Sequence, residues 1–405
     1  VEDAGCLERF TKVRDQLPRL RQIAVAIAAD AAEAGAPSFD DLLASEPLDV
    51  VFHLGDYIYE GGGSGVRAHN SGEVKTLPEY RNRYALYKGD PALQSSHAAF
   101  PWVVVWDDHE VDNNYAGAIA EDDAPVEEFL ARRAAAYRAW WEHQPVRLAP
   151  PAGPNLSIFR RFTWGDLASF FALDTRQYRS DQACTGDPSL GGIGPPCAEL
   201  ADPALTILGA EQQAWLLQGL QGSSSTWNVL AQQVVFAAMP VAANYNFDQW
   251  DGYPASRRAV VDVFADPRVR NPVVITGDIH ASGVATVHLD GEDPTTPAGA
   301  TELVGTSISP GFPSDLPEIG EALIGGLGGG HYVNARQRGY VTARLTPERL
   351  DAAFRVVSTV SEPEASISTD FSWAIEADAP IPSGEGAQAP ILEAIPVAAP
   401  PAFTG

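Results

Sequence analysis

The sequence predicts an α/β sandwich with mixed sheets, and three observations carry that reading. Apolar, β-branched runs alternate with helix-patterned stretches along most of the chain. Three of those runs end in acid-rich polar turns: HLGDYIYE (53–60), VWDDHEVDNNY (105–115) and TGDIHASG (276–283). Shorter strand-like runs come after the last of these, so the sheets combine parallel crossovers with neighbouring hairpins.

Each element has its own local reason. RQIAVAIAA (21–29) reads as a buried strand, and SFDDLLASE (38–46) as a short helix with Ser38 as its N-cap. LDVVFHL (48–54) and FPWVVVW (100–106) are two further buried strands, separated by a Gly-rich polar insertion around GGGSG (61–65). Residues 125–144 form a helix that opens on Pro125 and two acids. Its Leu130, Ala134, Tyr137 and Trp141 fall at helical spacing and are expected to pack on the core. Residues 156–174 read as a hairpin turning at Trp164-Gly165-Asp166. Helices are expected at 209–223 and 256–266, and strands at 227–233, 271–278, 284–289, 301–306, 339–345 and 349–359. The domain is expected over residues 1–375, with a Pro/Ala-rich tail over 376–405.

Composition sets outer limits. The 405 residues are 45% hydrophobic and 20% charged, which is globular rather than disordered. No apolar run reaches the roughly 18 residues of a membrane-spanning helix. The formal charge of −26 argues against nucleic acid as a partner, since phosphates would be repelled. Cys184 and Cys197 flank a Gly/Pro-rich loop with no metal-ligand spacing. A disulfide there is favoured over two buried thiols, and it points toward an oxidising compartment.

The three turns carry the chemistry. Ligands of open α/β sheets bind outside the carboxyl ends of the strands, so turns far apart in sequence converge. Convergence would place Asp56, Asp107, Asp108 and Asp278 together with His109 and His280. Several carboxylates in one place cost several kcal/mol unless cations neutralise them. Carboxylates, imidazoles and the phenol of Tyr59 suit hard or borderline ions such as calcium, manganese or iron. His53 points back into an apolar strand and is expected in the core, Asp112 on the surface. His69, His97, His143, His288 and His331 are expected to be structural. Nucleophile elbows, phosphate-binding glycine loops and dinucleotide fingerprints are all missing.

These motifs resemble those of the PhoD-type alkaline phosphatases, within the calcineurin-like metallophosphoesterase superfamily. The similar blocks stand in the family's order: HLGDYIYE, YRNRYALYKGDP (80–91), WDDHEVDNNYAG (106–117), LDTRQYRSDQ (173–182), WNVLAQQV (227–234), WDGYPASR (250–257), TGDIH (276–280), VGTSI (304–308) and RGYV (338–341). The resemblance implies a four-layer metallophosphoesterase sandwich, two mixed sheets flanked by helices. It implies an exported, metal-dependent hydrolase of phosphate mono- and diesters that uses iron with calcium; some members act on phospholipids. It implies Asp56 as the bridging carboxylate and Tyr59 as a tyrosinate ligand, with Asp108, Asp278 and His280 completing the metal set. His109 would stand beside the substrate phosphate, and Asn114 would contact phosphate or the second metal. Arg176 suits bidentate phosphate binding, with a buried ion pair as its other reading. One departure stands out. The family's first strand ends in a cysteine that ligates iron, and Ala28 occupies that position here. Asp30, two residues on, is the carboxylate expected to take over, or else it caps the following turn. The rival readings are a phospholipase D-type or nuclease-type diesterase, and a non-catalytic metal- or phosphate-binding protein.

Overall fold

The computed structural model describes residues 22–29, 48–62, 69–184, 186, 192–240, 243–291, 293–311, 321, 329–362 and 365–379. In chain order the strands are β1 (Ile23–Ala28), β2 (Val50–His53), β3 (Trp102–Val104), β4 (Arg160–Trp164), β5 (Ala168–Ala172), β6 (Ile193–Gly194), β7 (Trp227–Ala231), β8 (Tyr245–Asn246), β9 (Pro272–Thr276), β10 (Ser282–His288), β11 (Ala298–Val304), β12 (Gly330–Asn334), β13 (Gly339–Leu345), β14 (Arg349–Val357) and β15 (Ile367–Glu376). The helices are α1 (Leu77–Tyr87), α2 (Pro91–Ala99), α3 (Val126–His143), α4 (Gly209–Gln221) and α5 (Pro254–Phe264).

Two mixed sheets form, in the orders β15-β14-β13-β1-β2-β3 and β12-β10-β11-β9-β7-β5-β4. Strands β1, β2 and β3 run parallel, as do β5, β7, β9 and β11. Side-chain alternation explains the layers. In β5, Phe170 and Ala172 join the core between the sheets, while Phe171 joins a second core. The same division separates Val229 and Ala231 from Leu230, and Val273 and Ile275 from Val274. Buried on both faces, these strands carry no polar face, which is why they read as continuous apolar runs. Phe52 and Phe170 meet across the sandwich at 4.9 Å between ring centroids. Helices α4 and α5 cover the second sheet through Leu216, Leu220, Val260 and Phe264. On the other side Tyr137 and Trp140 of α3 pack on Trp106, just past β3.

The expected strands and helices from residue 100 onward are present with ends moved by a few residues, and the hairpin turns at Gly165 between β4 and β5. Four expectations are corrected. Helix α3 buries Phe129, Ala136, Tyr137 and Trp140 rather than the stripe through Leu130 and Trp141. The true face includes Arg132 and Arg133, which a hydrophobic pattern excludes but which are buried because they are paired. Asp112 is buried rather than exposed, since Arg132 holds its carboxylate at 2.8 Å. The polar insertion contains α1 and α2; α1 starts where Glu79 accepts the Thr76 amide at 2.8 Å, a capping-box contact. Strands β12 and β15 extend the sheets where no strand is expected. The expected helix at 38–46, Asp30 and the tail beyond residue 379 lie outside the described residues. Cys184 and Cys197 are joined in a disulfide, worth about 3 kcal/mol for a loop of this length. His53 is buried between the rings of Tyr57 and Trp102.

Candidate active site

All the parallel strands end at one edge of the sandwich, and the three acid-rich turns meet there. The turn after β2 passes within contact of the turn after β3: a Cβ on Gly55 would lie 2.4 Å from Cβ of Asp107. The turn after β9 approaches the end of β1 in the same way, since a Cβ on Gly277 would lie 2.5 Å from Cβ of Ala29. Glycine before aspartate is therefore a packing requirement in both turns. The backbone is bent sharply at several of the candidate site residues themselves. Of eight described non-glycine residues with positive φ, four are Asp56 (54°), Asn114 (49°), Asp278 (68°) and His280 (51°). Each such residue costs on the order of 1–3 kcal/mol and persists only when its surroundings hold it.

Glu110 is one such holding group. It is buried, and its carboxylate accepts the backbone N–H of Asp56 at 3.0 Å, of Tyr57 at 2.6 Å and of Asp107 at 2.8 Å. One side chain thus ties the turn after β2 to the turn after β3. Burial pushes its carboxyl up to about 8, against the pull of those amides.

Two donor groups result. Ligand atoms of Asp56, Asp108 and His109 lie within 4.8 Å of one another, as do those of Asp107, Asp108 and Asp278. Tyr59 Oη lies 3.3 Å from Asp56 Oδ2 and 2.7 Å from His280 Nε2. His280 Nδ1 faces the Gly311 carbonyl at 2.7 Å. A carbonyl only accepts, so Nδ1 carries the proton and the Nε2 lone pair accepts from the Tyr59 hydroxyl. Asp108 Oδ2 accepts the Asn114 amide at 2.7 Å. His109 Nδ1 faces Glu60 Oε2 at 2.7 Å, and the other oxygen of Glu60 accepts the Asn113 amide at 2.9 Å. Burial pushes the Glu60 carboxyl up, but His109 outweighs it and leaves the group below its ordinary value.

Arg176 follows the second of its two readings, the buried ion pair. It does make a bidentate contact, but with Asp248, at 2.7 Å for each oxygen, and not toward open space. Its Nε bonds Asp107, and Nη2 lies 3.5 Å from Asp108 and 3.7 Å from Asp278. The guanidinium is fully buried and serves as an ion-pair hub. Arg179 shares Asp248 at 2.7 Å.

The charges do not balance. Asp107, Asp108, Asp248 and Asp278 share Arg176, and Arg179 adds one more guanidinium on Asp248. Burial pushes Asp107 up to about 6, with Asp108 adding to the effect against Arg176. Asp108 is held well below the carboxylate range, since Arg176, His109 and the Asn114 amide overcome its burial. Burial, then the neighbouring aspartates, drive Asp278 up. Asp107 Oδ2 and Asp108 Oδ1 are buried without a hydrogen-bond partner among the described residues. Buried carboxylate oxygens in that condition fit cations, so the donor set suits metal ions. Ala28 ends β1 beside His53 and contributes no donor. Sequence reasoning does not single out Glu60, Glu110 or Asp248. The first two lie inside the quoted motifs, where the neighbouring aspartates fit a ligand role better.

Comparison with known proteins agrees with this geometry. The model of the PhoD-like phosphatase family matches residues 25–354. The chain is 46% identical over 352 residues to alkaline phosphatase D of Bacillus subtilis (strain 168), covering 83% of this chain and 59% of that protein. It thus spans about three fifths of that relative's length. A solved structure of PhoD superposes with a TM-score of 0.81 at 42% identity, covering 89% of this chain and 70% of the other. Because the matched stretch carries all three turns and the residues that converge from them, the chain belongs to the PhoD-like phosphatase family.

Proposed function

We propose that this chain is a metal-dependent hydrolase of phosphate esters. The observation that carries the reading is the pair of buried carboxylate oxygens on Asp107 and Asp108 that no hydrogen bond reaches among the described residues, within a cluster of three aspartates. The name of its relative, alkaline phosphatase D, supports it. Asp56, Tyr59 and His280 would hold iron, with Ala28 leaving that site one thiolate short of the family's pattern. Asp108, Asp278 and Asn114, with Asp56 shared, would hold calcium, an ion suited to hard oxygen donors. Metals bound there supply Lewis-acid polarisation of the phosphoryl group and activation of water. Glu60 holds Nδ1 of His109, and Nε2 is the nitrogen we assign to the leaving oxygen as proton donor. The carboxylates of Asp107 and Asp248 hold Arg176 beside Asp108 and Asp278.

Phosphate monoesters and diesters are both proposed substrates, with phospholipids among the diesters. The net charge of −26 makes a nuclease the least favoured diesterase. The disulfide supports action outside the reducing cytosol, in a secreted or periplasmic setting. Steady-state release of p-nitrophenol from p-nitrophenyl phosphate and from its bis ester tests the reading. Protein supplied with calcium and ferric ion should hydrolyse at least one of the two. Release from neither, with metal bound, would favour a non-catalytic binding protein.

A further inference from the structure

Tyr59 and His280 touch at 2.7 Å, yet they come from turns of different sheets. Neither turn has a regular hydrogen-bonding ladder to hold it at that point. Behind each lies a buried arginine. Arg83, on α1, is fully buried and donates through Nη1 to the carbonyls of Tyr59 and Gly61. Its Nη2 donates to the Gly72 carbonyl at 2.9 Å and to Ser71 Oγ at 3.2 Å. Arg338, at the start of β13, is buried and donates through Nη1 to the His280 carbonyl at 2.7 Å. The same nitrogen reaches Ser307 Oγ at 3.1 Å and the Pro310 carbonyl at 2.9 Å, and Nη2 bonds the Ala335 carbonyl. The segment it gathers leads directly to Gly311, whose carbonyl sets the tautomer of His280.

We infer that Arg83 and Arg338 are positioning residues which fix the Tyr59–His280 pair, each by holding the backbone carbonyl of one member. The planar fork of arginine satisfies several divergent carbonyls at once, which a point-charge ammonium does not. Holding His280 from both its carbonyl and its ring offsets the cost of its left-handed backbone. The inference rests on the reading of Tyr59 and His280 as metal ligands, and it adds what places them.

The test is a titration of the whole chain with ferric citrate, followed by the visible absorption of a phenolate–iron contact and by dialysis affinity. Arg338→Gln and Arg83→Gln should each bind at least tenfold more weakly than the parent and lose at least half of the band. Arg338→Lys should recover less than half of that loss. If Arg338→Gln fails to fold by circular dichroism, Ser307→Ala removes one of the contacts of Arg338 more gently. It should weaken binding about threefold with an unchanged melting temperature. A parent that binds no iron refutes the metal reading itself. A parent that binds, with folded variants equal to it within twofold, overturns the role of the arginines alone.

Discussion

Asp56→Asn should abolish turnover and leave the fold intact. Asp56 lies within 4.8 Å of Asp108 and His109 and 3.3 Å from Tyr59, so it stands between the ligands proposed for the two ions. Asparagine keeps the shape but donates no charge, and loss of a group shared by two cations should cost roughly three orders of magnitude in rate. Stability should move the other way. Two carboxylates under 4.8 Å apart repel by roughly 3 kcal/mol at an effective dielectric of about 20. Removing one charge from a crowded cluster relieves part of that repulsion, so the melting temperature without added metal should hold or rise. A variant that retains more than roughly a tenth of parental turnover on p-nitrophenyl phosphate would refute the shared-ligand role.

Gly55→Ala should damage both stability and activity. The backbone at Gly55 has φ of 116°, a region that side chains strain to adopt, and the added Cβ would sit 2.4 Å from Cβ and 2.8 Å from N of Asp107. The obstacle is mostly backbone, pinned by Glu110 through the Asp107 amide, so it cannot swing away. Strain and overpacking each cost on the order of 1–3 kcal/mol, so a loss of about 3 kcal/mol is expected. In a domain this large, with an unfolding entropy of roughly 2.1 cal/mol/K per residue, that is a melting shift of about 4 °C. Displacing the Asp107–Asp108 turn by about 1 Å should also lower turnover roughly a hundredfold. Thermal denaturation and a rate measurement on the same preparation check both. A variant with parental melting temperature and rate would show that the two turns do not meet as described.

The donor set was legible because it lies at the ends of the strands. A buried strand announces itself by a continuous apolar run, and the residues after that run must emerge at the sheet edge. Asp56, Asp108 and Asp278 were therefore visible as a convergent group. Groups that act by holding backbone were not legible. Glu110 looks like any acid beside a histidine, and only the structure shows it accepting three amides from two turns. Asp248 sits in a loop whose pairing with Arg176 spans 72 residues. Asp112 reads as surface and Arg132 falls outside the apolar stripe, because sequence patterns score residues singly and this pair is buried only as a pair. Helix α1 is rich in tyrosine and arginine with a weak apolar stripe, so the period that marks a helix is faint there.

Whether cations complete the cluster formed by the three turns is tested most directly by dialysis against EGTA and readdition of calcium. Hydrolysis of p-nitrophenyl phosphate should fall at least about tenfold on dialysis and return when calcium is restored, since the second donor group is built of hard oxygen ligands. A rate unchanged by exhaustive chelation would contradict the assignment of calcium to Asp108 and Asp278.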